Sequence, residues 1–249
     1  MSKHLAVIFA GGTGSRMGLS ALPKQFITVN DKPILIWTLE YFEQHPLIDE
    51  IYLACIEEWI GYTTNLLAEY RIKKVTAIVP GGKTAQHSIY HALIEARNNN
   101  PADAIVLIHD GVRPFISARL ITNLIETVKT KGNAITCTPC HETIIICGEE
   151  NKISDIPIRR HTFAAQAPQA FYLGDVLNAH DEIRKINPDY EDIVDACTLY
   201  GLLKREVAMV PGNIGNIKIT RPEDVYILKG LLRYRESEEI ILGHSLLDV

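Results

Sequence analysis

Short apolar runs alternate with longer amphipathic segments along most of the chain. The apolar runs are five or six residues long and rich in Val, Ile and Thr, which is typical of buried strands. Predicted strands cover 5–9, 51–56, 75–79, 104–109, 134–138, 206–210 and 216–220. The segments between them carry apolar residues at three- and four-residue spacing, which predicts helices. These helices cover 33–45, 84–97, 117–129, 192–204 and 221–235. Such alternation predicts an α/β fold, in which a doubly wound, mostly parallel sheet has helices on both faces.

One segment departs from this alternation. From about 139 to 170 the chain shows no helical period, and we interpret it as an extended β-arm that leaves the domain. Thr220-Arg221-Pro222-Glu223 fits a capping box at the start of the last helix. Residues 1–235 are therefore interpreted as one domain with this arm, and 236–249 as a C-terminal tail.

Composition excludes several classes of protein. With 249 residues and 47% apolar content, the chain can bury a full core. The 25 Lys and Arg against 30 Asp and Glu give a net charge of −5, and no basic run is present to follow a nucleic-acid backbone. The apolar runs are far shorter than the roughly 20 residues of a membrane span, so we expect no membrane partner. Five cysteines, an odd number, favour reduced thiols and a cytoplasmic protein.

A glycine-rich loop follows the first predicted strand. It reads FAGGTGSRMGLSALPKQF from Phe9 to Phe26. Glycines allow a backbone to approach a ligand closely, and such a turn presents N–H groups to a phosphate. A dinucleotide fingerprint would need glycine at Met17, and a Walker loop ending at 82–84 would need glycine at Ala77. The loop is therefore a phosphate-binding candidate of a different kind.

Other chemistry-bearing residues also follow predicted strands. In an open α/β sheet the ligand lies outside the carboxyl ends of the strands. The residues at these positions are Arg16 and Lys24 after the first strand, Lys83 and Ser88 after the third, Asp110 and Arg113 after the fourth, and Lys218 in the last. Cations around a glycine-lined crevice with one carboxylate fit a nucleoside triphosphate with Mg²⁺.

Several strings in the chain carry a family resemblance. AGGTGSRMG, LPKQF, GGK with Ser88, HDGVRPF, QAPQAF and NIKITRPED occur in this order. The chain resembles the cytidylyltransferases that couple CTP to a sugar-alcohol phosphate. The resemblance implies a Rossmann-like domain whose β-arm forms a homodimer, and a Mg²⁺-dependent reaction that releases pyrophosphate.

The resemblance also implies roles for individual residues. Residues matching the nucleotide site are Phe9, Ala10, Gly11, Gly12, Gly14, Gly81, Gly82, Ser88 and Asp110. Arg16 and Lys24 match the pair that stabilises charge on the α-phosphate. Asp110 also matches a position at the metal. Residues matching the acceptor site are Asp110, Arg113, Thr143, Arg159 and Lys218, of which Arg159 and Lys218 hold the attacking phosphate.

Two departures from the family pattern bear on the substrate. Ala85 stands where the family usually has an Arg. Asn213-Ile214-Gly215-Asn216 lacks the Asp that the methylerythritol-phosphate enzymes of isoprenoid synthesis usually show. This second departure favours ribitol 5-phosphate, or a close alditol phosphate, over methylerythritol phosphate as the acceptor. Gln166 in QAPQ and the strings FAGGTGSRMG and LPKQF also look more like the ribitol enzymes. A non-catalytic nucleotide-binding module is a further alternative, although Arg16, Lys24 and Lys218 favour catalysis.

Overall fold

A computed structural model describes residues 2–12 and 22–242 of the chain. Its strands are β1 His4–Ala10, β2 Thr28–Val29, β3 Lys32–Pro33, β4 Glu50–Cys55, β5 Val75–Pro80, β6 Ile105–Asp110, β7 Asn133–Pro139, β8 Ile146–Cys147, β9 Ile153–Asp155, β10 Phe163–Tyr172 and β11 Met209–Pro211. Its helices are α1 Ile34–Gln44, α2 Ile60–Glu69, α3 Ala85–Asn99, α4 Ala118–Lys131, α5 Leu173–Ile186, α6 Ala196–Leu202 and α7 Pro222–Leu242.

Seven of these strands form the central sheet, in the order β11-β7-β10-β6-β1-β4-β5. β1 pairs in parallel with β4 and β6, β4 with β5, and β11 with β7. β10 runs antiparallel to both of its neighbours, β6 and β7. The sheet is therefore mixed but mostly parallel, and the predicted α/β fold is confirmed.

Helices cover both faces of this sheet, because successive strand side chains point to opposite faces. Along β1, Leu5 and Val7 pack in one buried cluster, which includes apolar residues of α3, α5 and α6. Ala6 and Ile8 pack in the other, with residues of α1, α2 and α4. A third cluster joins α7 to the start of α1 and the segment after β6. A strand buried on both faces has a continuous apolar sequence, as LAVIF does.

The segment from 139 to 170 divides into two parts. Its first part contains the two-stranded hairpin of β8 and β9, and residues 141–161 are exposed except for Pro157. Its last part belongs to β10, which is buried from Ala167 to Phe171 between β6 and β7. The protruding arm is therefore shorter than the sequence indicates, because the run QAPQAF completes the central sheet.

Three sequence-based assignments differ from the structure. The segment 216–220 forms no strand; Ile219 is buried against α7, but its N–H makes a single bond, to the Val112 carbonyl at 2.9 Å. The strand predicted at 206–210 covers only Met209–Pro211. Helices α2 and α5 were not predicted.

The last helix is capped one residue later than predicted. The Asp224 carboxylate accepts hydrogen bonds from the Thr220 N–H at 2.7 Å and the Arg221 N–H at 2.8 Å. Because the helix begins at Pro222, Asp224 occupies its third position, where a capping-box carboxylate lies. Asp224 therefore has the role predicted for Glu223. Helix α7 itself continues to Leu242.

None of the helices in the described part of the chain has the length and apolar character that a membrane crossing requires.

Candidate functional site

A cavity of about 490 Å³ opens at the carboxyl ends of the parallel strands. Its described lining consists of Phe9, Ala10, Gly11, Gly12, Lys24, Gln25, Gly82, Lys83, Thr84, Ala85, Ser88, Asp110, Val112 and Lys218. These residues come from the ends of β1 and β6 and the segments that follow them, from the loop after β5 with the start of α3, and from the segment before α7. This is the edge of the sheet at which an open α/β fold binds its ligand.

Two glycines allow the loops after β1 and β5 to touch each other. A Cβ on Gly11 would lie 2.8 Å from the Ser88 Oγ, and the Gly81 Cα lies 3.6 Å from the same point. A Cβ on Gly81 would lie 3.3 Å from the Gly11 Cα and 3.2 Å from the Ser88 Oγ. The 2.8 Å approach at Gly11 is closer than real Cβ atoms come, and the approaches at Gly81 are tighter than most Cβ contacts in proteins. The lack of a Cβ at these two glycines therefore allows the two loops to contact each other.

Gly12 has a different environment. A Cβ there would meet only the Lys24 Cε, at 3.9 Å, among the described residues. Gly12 thus lines the cavity with little of the described structure packed against it. It can present itself directly to a ligand, as the glycine loop predicts.

Ser88 ties the second loop to the start of α3. Its Oγ accepts a hydrogen bond from the Gly82 N–H at 2.9 Å and donates one to the Thr84 carbonyl at 3.0 Å. The Thr84 side chain caps the helix by accepting from the His87 N–H. Because Thr84 and Ala85 line the cavity, the positive end of α3 lies beside it. A helix N-terminus favours an anionic ligand.

Asp110 forms two ion pairs at the end of β6. Its Oδ2 lies 2.8 Å from the Arg113 Nε, and its Oδ1 lies 2.5 Å from the Lys218 Nζ. Burial by itself would raise the pKa of this carboxyl, but Lys218 and then Arg113 outweigh burial and lower the pKa to about 2. Asp110 is therefore ionised at neutral pH.

The backbone around Arg113 is held by buried groups. The His109 Nε2 donates a hydrogen bond to the Arg113 carbonyl at 3.0 Å. Burial lowers the pKa of His109 to about 4, so the ring is neutral at pH 7. The Arg113 guanidinium also donates to the Asn216 carbonyl at 2.8 Å, which connects it to the segment that carries Lys218. These contacts position the two cations on Asp110.

A second cavity, of about 190 Å³, adjoins the first. The two share the lining residues Phe9, Asp110 and Lys218. The remaining lining of the second cavity is Ile89, Ile108, Arg113, Ala165, Gln166, Ala167, Gln169, Val194, Asp195 and Ala196. Two ligands placed in these cavities would meet at Asp110 and Lys218.

The structure brings most of the predicted site residues together. Those that line one or both cavities are Phe9, Ala10, Gly11, Gly12, Lys24, Gly82, Ser88, Asp110, Arg113 and Lys218. Gly81 lies behind them, against Gly11. Gly14 and Arg16 fall outside the described residues.

Two predicted residues lie elsewhere. Thr143 and Arg159 are both exposed on the arm, and Arg159 begins a short 3₁₀ turn, Arg159–His161. Neither is part of the described lining of the two cavities. Within a single chain, these residues are thus separate from the predicted crevice.

Sequence reasoning missed several polar lining residues. Gln25 is fully buried and donates from its Nε2 to the Ala10 carbonyl at 2.7 Å, which connects the LPKQF string to the first loop. Gln169 and Asp195 line the second cavity and bond to each other at 3.0 Å. The family resemblance includes Gln166 of QAPQ but assigns no role to either glutamine. Since β10 was not predicted as a sheet strand, nothing placed its glutamines beside Asp110.

Replacing Gly11 with alanine is expected to raise the KM for the nucleotide and to destabilise the fold by about 1–3 kcal/mol. The new Cβ would displace the Ser88 Oγ, which lies 2.8 Å away, and break its bond to Gly82. Steady-state kinetics and thermal unfolding measure the two effects.

Gly61→Ala is the matched control, because a Cβ at this helical position meets no atom of the described residues within 4 Å. We expect this variant to fold at least as stably as the parent. Equal behaviour of the two variants would contradict the close contact between the loops.

Comparison with known proteins identifies relatives over nearly the whole chain. The family model described as 2-C-methyl-D-erythritol 4-phosphate cytidylyltransferase (IspD) matches residues 4–234. The ribitol-5-phosphate cytidylyltransferase of Streptococcus agalactiae serotype V is 41% identical over 237 residues, which cover 95% of this chain and 98% of that protein. The 2-C-methyl-D-erythritol 4-phosphate cytidylyltransferase of Clostridium botulinum (strain 657) is 37% identical over 232 residues, which cover 93% of this chain and 98% of that protein. The crystal structure of 4-diphosphocytidyl-2C-methyl-D-erythritol synthase from Anaerococcus prevotii matches with a TM-score of 0.79 and 26% identity, covering 93% of this chain and 96% of that chain.

Proposed function

The chain belongs to the 2-C-methyl-D-erythritol 4-phosphate cytidylyltransferase family, and we propose that it couples CTP to ribitol 5-phosphate, giving CDP-ribitol and pyrophosphate. The ribitol acceptor is supported by the 41% identity to the streptococcal ribitol enzyme, against 37% for the clostridial methylerythritol enzyme. The absence of a carboxylate around Gly215 also supports it.

One observation carries the proposal. The larger cavity has glycine loops, Lys24 and a helix N-terminus, which suit a triphosphate, and the smaller cavity has polar side chains that suit a polyol. Asp110 and Lys218 lie where the cavities adjoin. A donor and an acceptor bound on either side would bring their reacting phosphates to this place.

The reaction then needs no covalent enzyme intermediate. An oxygen of the ribitol phosphate attacks the α-phosphorus of CTP in line, the bond from that phosphorus to the β-phosphate bridging oxygen breaks, and pyrophosphate leaves. Lys218 neutralises charge on the attacking phosphate, while Arg16 and Lys24 stabilise charge that develops on the α-phosphate. Catalysis is thus mainly positioning and electrostatic stabilisation.

Mg²⁺ is the cofactor expected for this reaction, and Asp110 fits it. This carboxylate lines both cavities, and each of its oxygens keeps a lone pair beyond its ion-pair contact. Among the described residues no group of three or more metal-binding side chains occurs. Mg²⁺ is commonly held by one or two carboxylates together with substrate phosphates. Asp110 would therefore hold an ion carried by the triphosphate, and that ion would neutralise phosphate charge.

The arm supports a homodimer. Its exposed apolar side chains are Ile144, Ile145, Ile146, Ile153, Ile156, Ile158 and Phe163. Exposed apolar side chains in this number on one short segment are typical of a protein contact. In a symmetric dimer the arm of one chain can bring Thr143 and Arg159 to the crevice of the other. This arrangement would account for their distance from both cavities of their own chain.

A cytoplasmic location belongs to the same proposal. The odd number of cysteines suits a reducing compartment, and none of the five, all within the described residues, forms a disulfide.

A pyrophosphate-release assay across a panel of acceptors tests the function. With CTP and Mg²⁺ we expect kcat/KM to be highest for ribitol 5-phosphate, because its hydroxyls match the polar lining of the smaller cavity. The panel includes methylerythritol phosphate and other alditol phosphates at equal concentrations. Replacing CTP with ATP in the same assay is the control for the nucleotide.

Two outcomes would contradict the proposal. A higher kcat/KM for methylerythritol phosphate would make isoprenoid synthesis the better assignment. No pyrophosphate with any acceptor would favour a nucleotide-binding module without turnover.

A further inference from the structure

Gln166 lies at the entrance of β10 into the central sheet and lines the smaller cavity. The pairing of β10 with β7 shifts register between Gln166 and Gln169. Such an irregularity can re-aim a side chain at the edge of a sheet. Here it brings both glutamines to the cavity that also contains Asp110.

The side-chain amide of Gln169 is already hydrogen-bonded within the protein. Its Nε2 donates to the Gln166 carbonyl at 3.3 Å and to the Asp195 Oδ2 at 3.0 Å, and its Oε1 accepts from the Cys197 N–H at 3.1 Å. It is also only 3% exposed. Both of its donors are therefore used before any ligand arrives.

The Asp195 carboxylate also accepts hydrogen bonds from within the protein. Its Oδ1 accepts from the Thr198 N–H and from the Thr198 Oγ1, each at 2.8 Å, and so caps α6. Its Oδ2 accepts from Gln169. A ligand that bound this carboxylate would have to compete with the cap of α6.

Gln166 has spare hydrogen-bonding capacity. Its Nε2 donates to the Asn213 carbonyl at 3.4 Å, and its Oε1 accepts from the Asn216 Nδ2 at 3.3 Å. Both distances are long for bonds of this type. Within the described part of the chain, one N–H and one lone pair of this amide have no partner.

The Gln166 side chain is nevertheless held in place. A Cβ on Gly212 would lie 2.7 Å from its Oε1, so the amide rests directly on the Gly212 backbone. An amide that is positioned, half-buried and incompletely bonded is suited to a hydroxyl group, which both donates and accepts.

We propose that Gln166 is a specificity-determining residue that forms a hydrogen bond with a hydroxyl of the acceptor's carbon chain, while Arg113 and Lys218 bind the phosphate end. The proposal rests on the function proposed above, since it takes an alditol phosphate as the occupant of the smaller cavity. Gln166 accepts from or donates to the hydroxyl, and Gln169 and Asp195 position the wall behind it.

The test compares two acceptors that differ only in their hydroxyls. Ribitol 5-phosphate and pentyl phosphate have the same five-carbon chain, and the second has no free hydroxyl. Their Kd values are measured by calorimetry in the presence of a non-reacting methylene analogue of CTP. In Gln166→Met, we expect the Kd for ribitol 5-phosphate to rise about 10-fold, the usual effect of losing one neutral hydrogen bond, and the Kd for pentyl phosphate to change less than threefold.

Two further variants keep the test decisive. Gln166→Glu retains an acceptor at the same position and should recover part of the lost affinity for ribitol 5-phosphate. Gln44→Met makes the same chemical change at an exposed position outside both cavities and should leave both Kd values unchanged. Thermal unfolding of each variant, with the Kd of the CTP analogue, reports damage to the fold.

Equal weakening of both acceptors, or no weakening, would overturn the role of Gln166. Failure of the proposed function is a separate result, because it is decided by turnover of the unmodified enzyme across the acceptor panel. If that panel selects another alditol phosphate, the same comparison is made between that acceptor and its deoxygenated chain. An equal loss for that pair would again overturn the role.

Discussion

Replacing Lys218 with methionine is expected to lower kcat by about 10²- to 10³-fold, with a smaller change in the KM for CTP. Lys218 contacts Asp110 where the two cavities adjoin, and its side chain is 38% exposed toward them. Methionine has similar length but no charge, so the attacking phosphate loses its cation in the transition state. Steady-state kinetics with ribitol 5-phosphate measure the effect.

The control is Lys73→Met, which makes the same change at an exposed position outside both cavities. It should keep the parent kcat. Because Lys218→Met also removes one partner of a buried carboxylate, its thermal midpoint should fall. Lys218→Arg keeps the charge and should retain more activity than Lys218→Met. A variant with unchanged kcat and only a raised KM would make Lys218 a ground-state binder.

The glycine loops were predictable because their chemistry is local. A run such as AGGTG after a strand indicates either a tight turn or a backbone that lies very close to another group. The contact of Gly11 with Ser88 is a close approach of this second kind. The place of Asp110 was predictable as well, since the carboxyl ends of parallel strands share one edge of the sheet. Topology then brought Lys218 to the same edge from more than 100 residues away, although its segment is not a strand.

The second cavity was not predictable in the same way. Its wall combines β10 with the start of α6, and their contact depends on a long-range antiparallel pairing that no local pattern indicates. Helix α5 was not predicted for a different reason. Leu173, Val176, Leu177 and Ile183 have helical spacing and are buried, but the helix begins directly after β10, whose boundary was missed. Because β10 was assigned to the arm, the helix that follows it was not predicted either.

The segment 216–220 shows how a strand-like pattern can mislead. Alternation in NIKIT reflects the burial of Ile219 in the α7 cluster, with Ile217 packed beside it. Period two requires only an extended chain with one buried face, and it does not require a paired neighbour. The segment nonetheless places Lys218 against Asp110, where the two cavities adjoin.

A mixture of two nearly inactive variants is expected to recover activity if each active site uses the partner's arm. We would combine Lys218→Met with Arg159→Ala and let their subunits exchange. Random reassortment makes about half of the dimers hybrids, and in each hybrid one site has Lys218 from one chain and Arg159 from the other. The second site of the hybrid collects both substitutions. Activity per subunit should therefore reach about a quarter of the parent value by the same reassortment.

Arg160→Ala is the matched control for the arm. Arg160 lies next to Arg159 in the same exposed 3₁₀ turn, so its removal tests whether any change in this turn inactivates the enzyme. We expect Arg160→Ala alone to retain the parent kcat. Subunit exchange is verified by mass or by tag before activity is measured. If exchange is complete and the mixture of Lys218→Met and Arg159→Ala stays inactive, Arg159 acts within its own chain, and the arm cannot be the source of a shared active site.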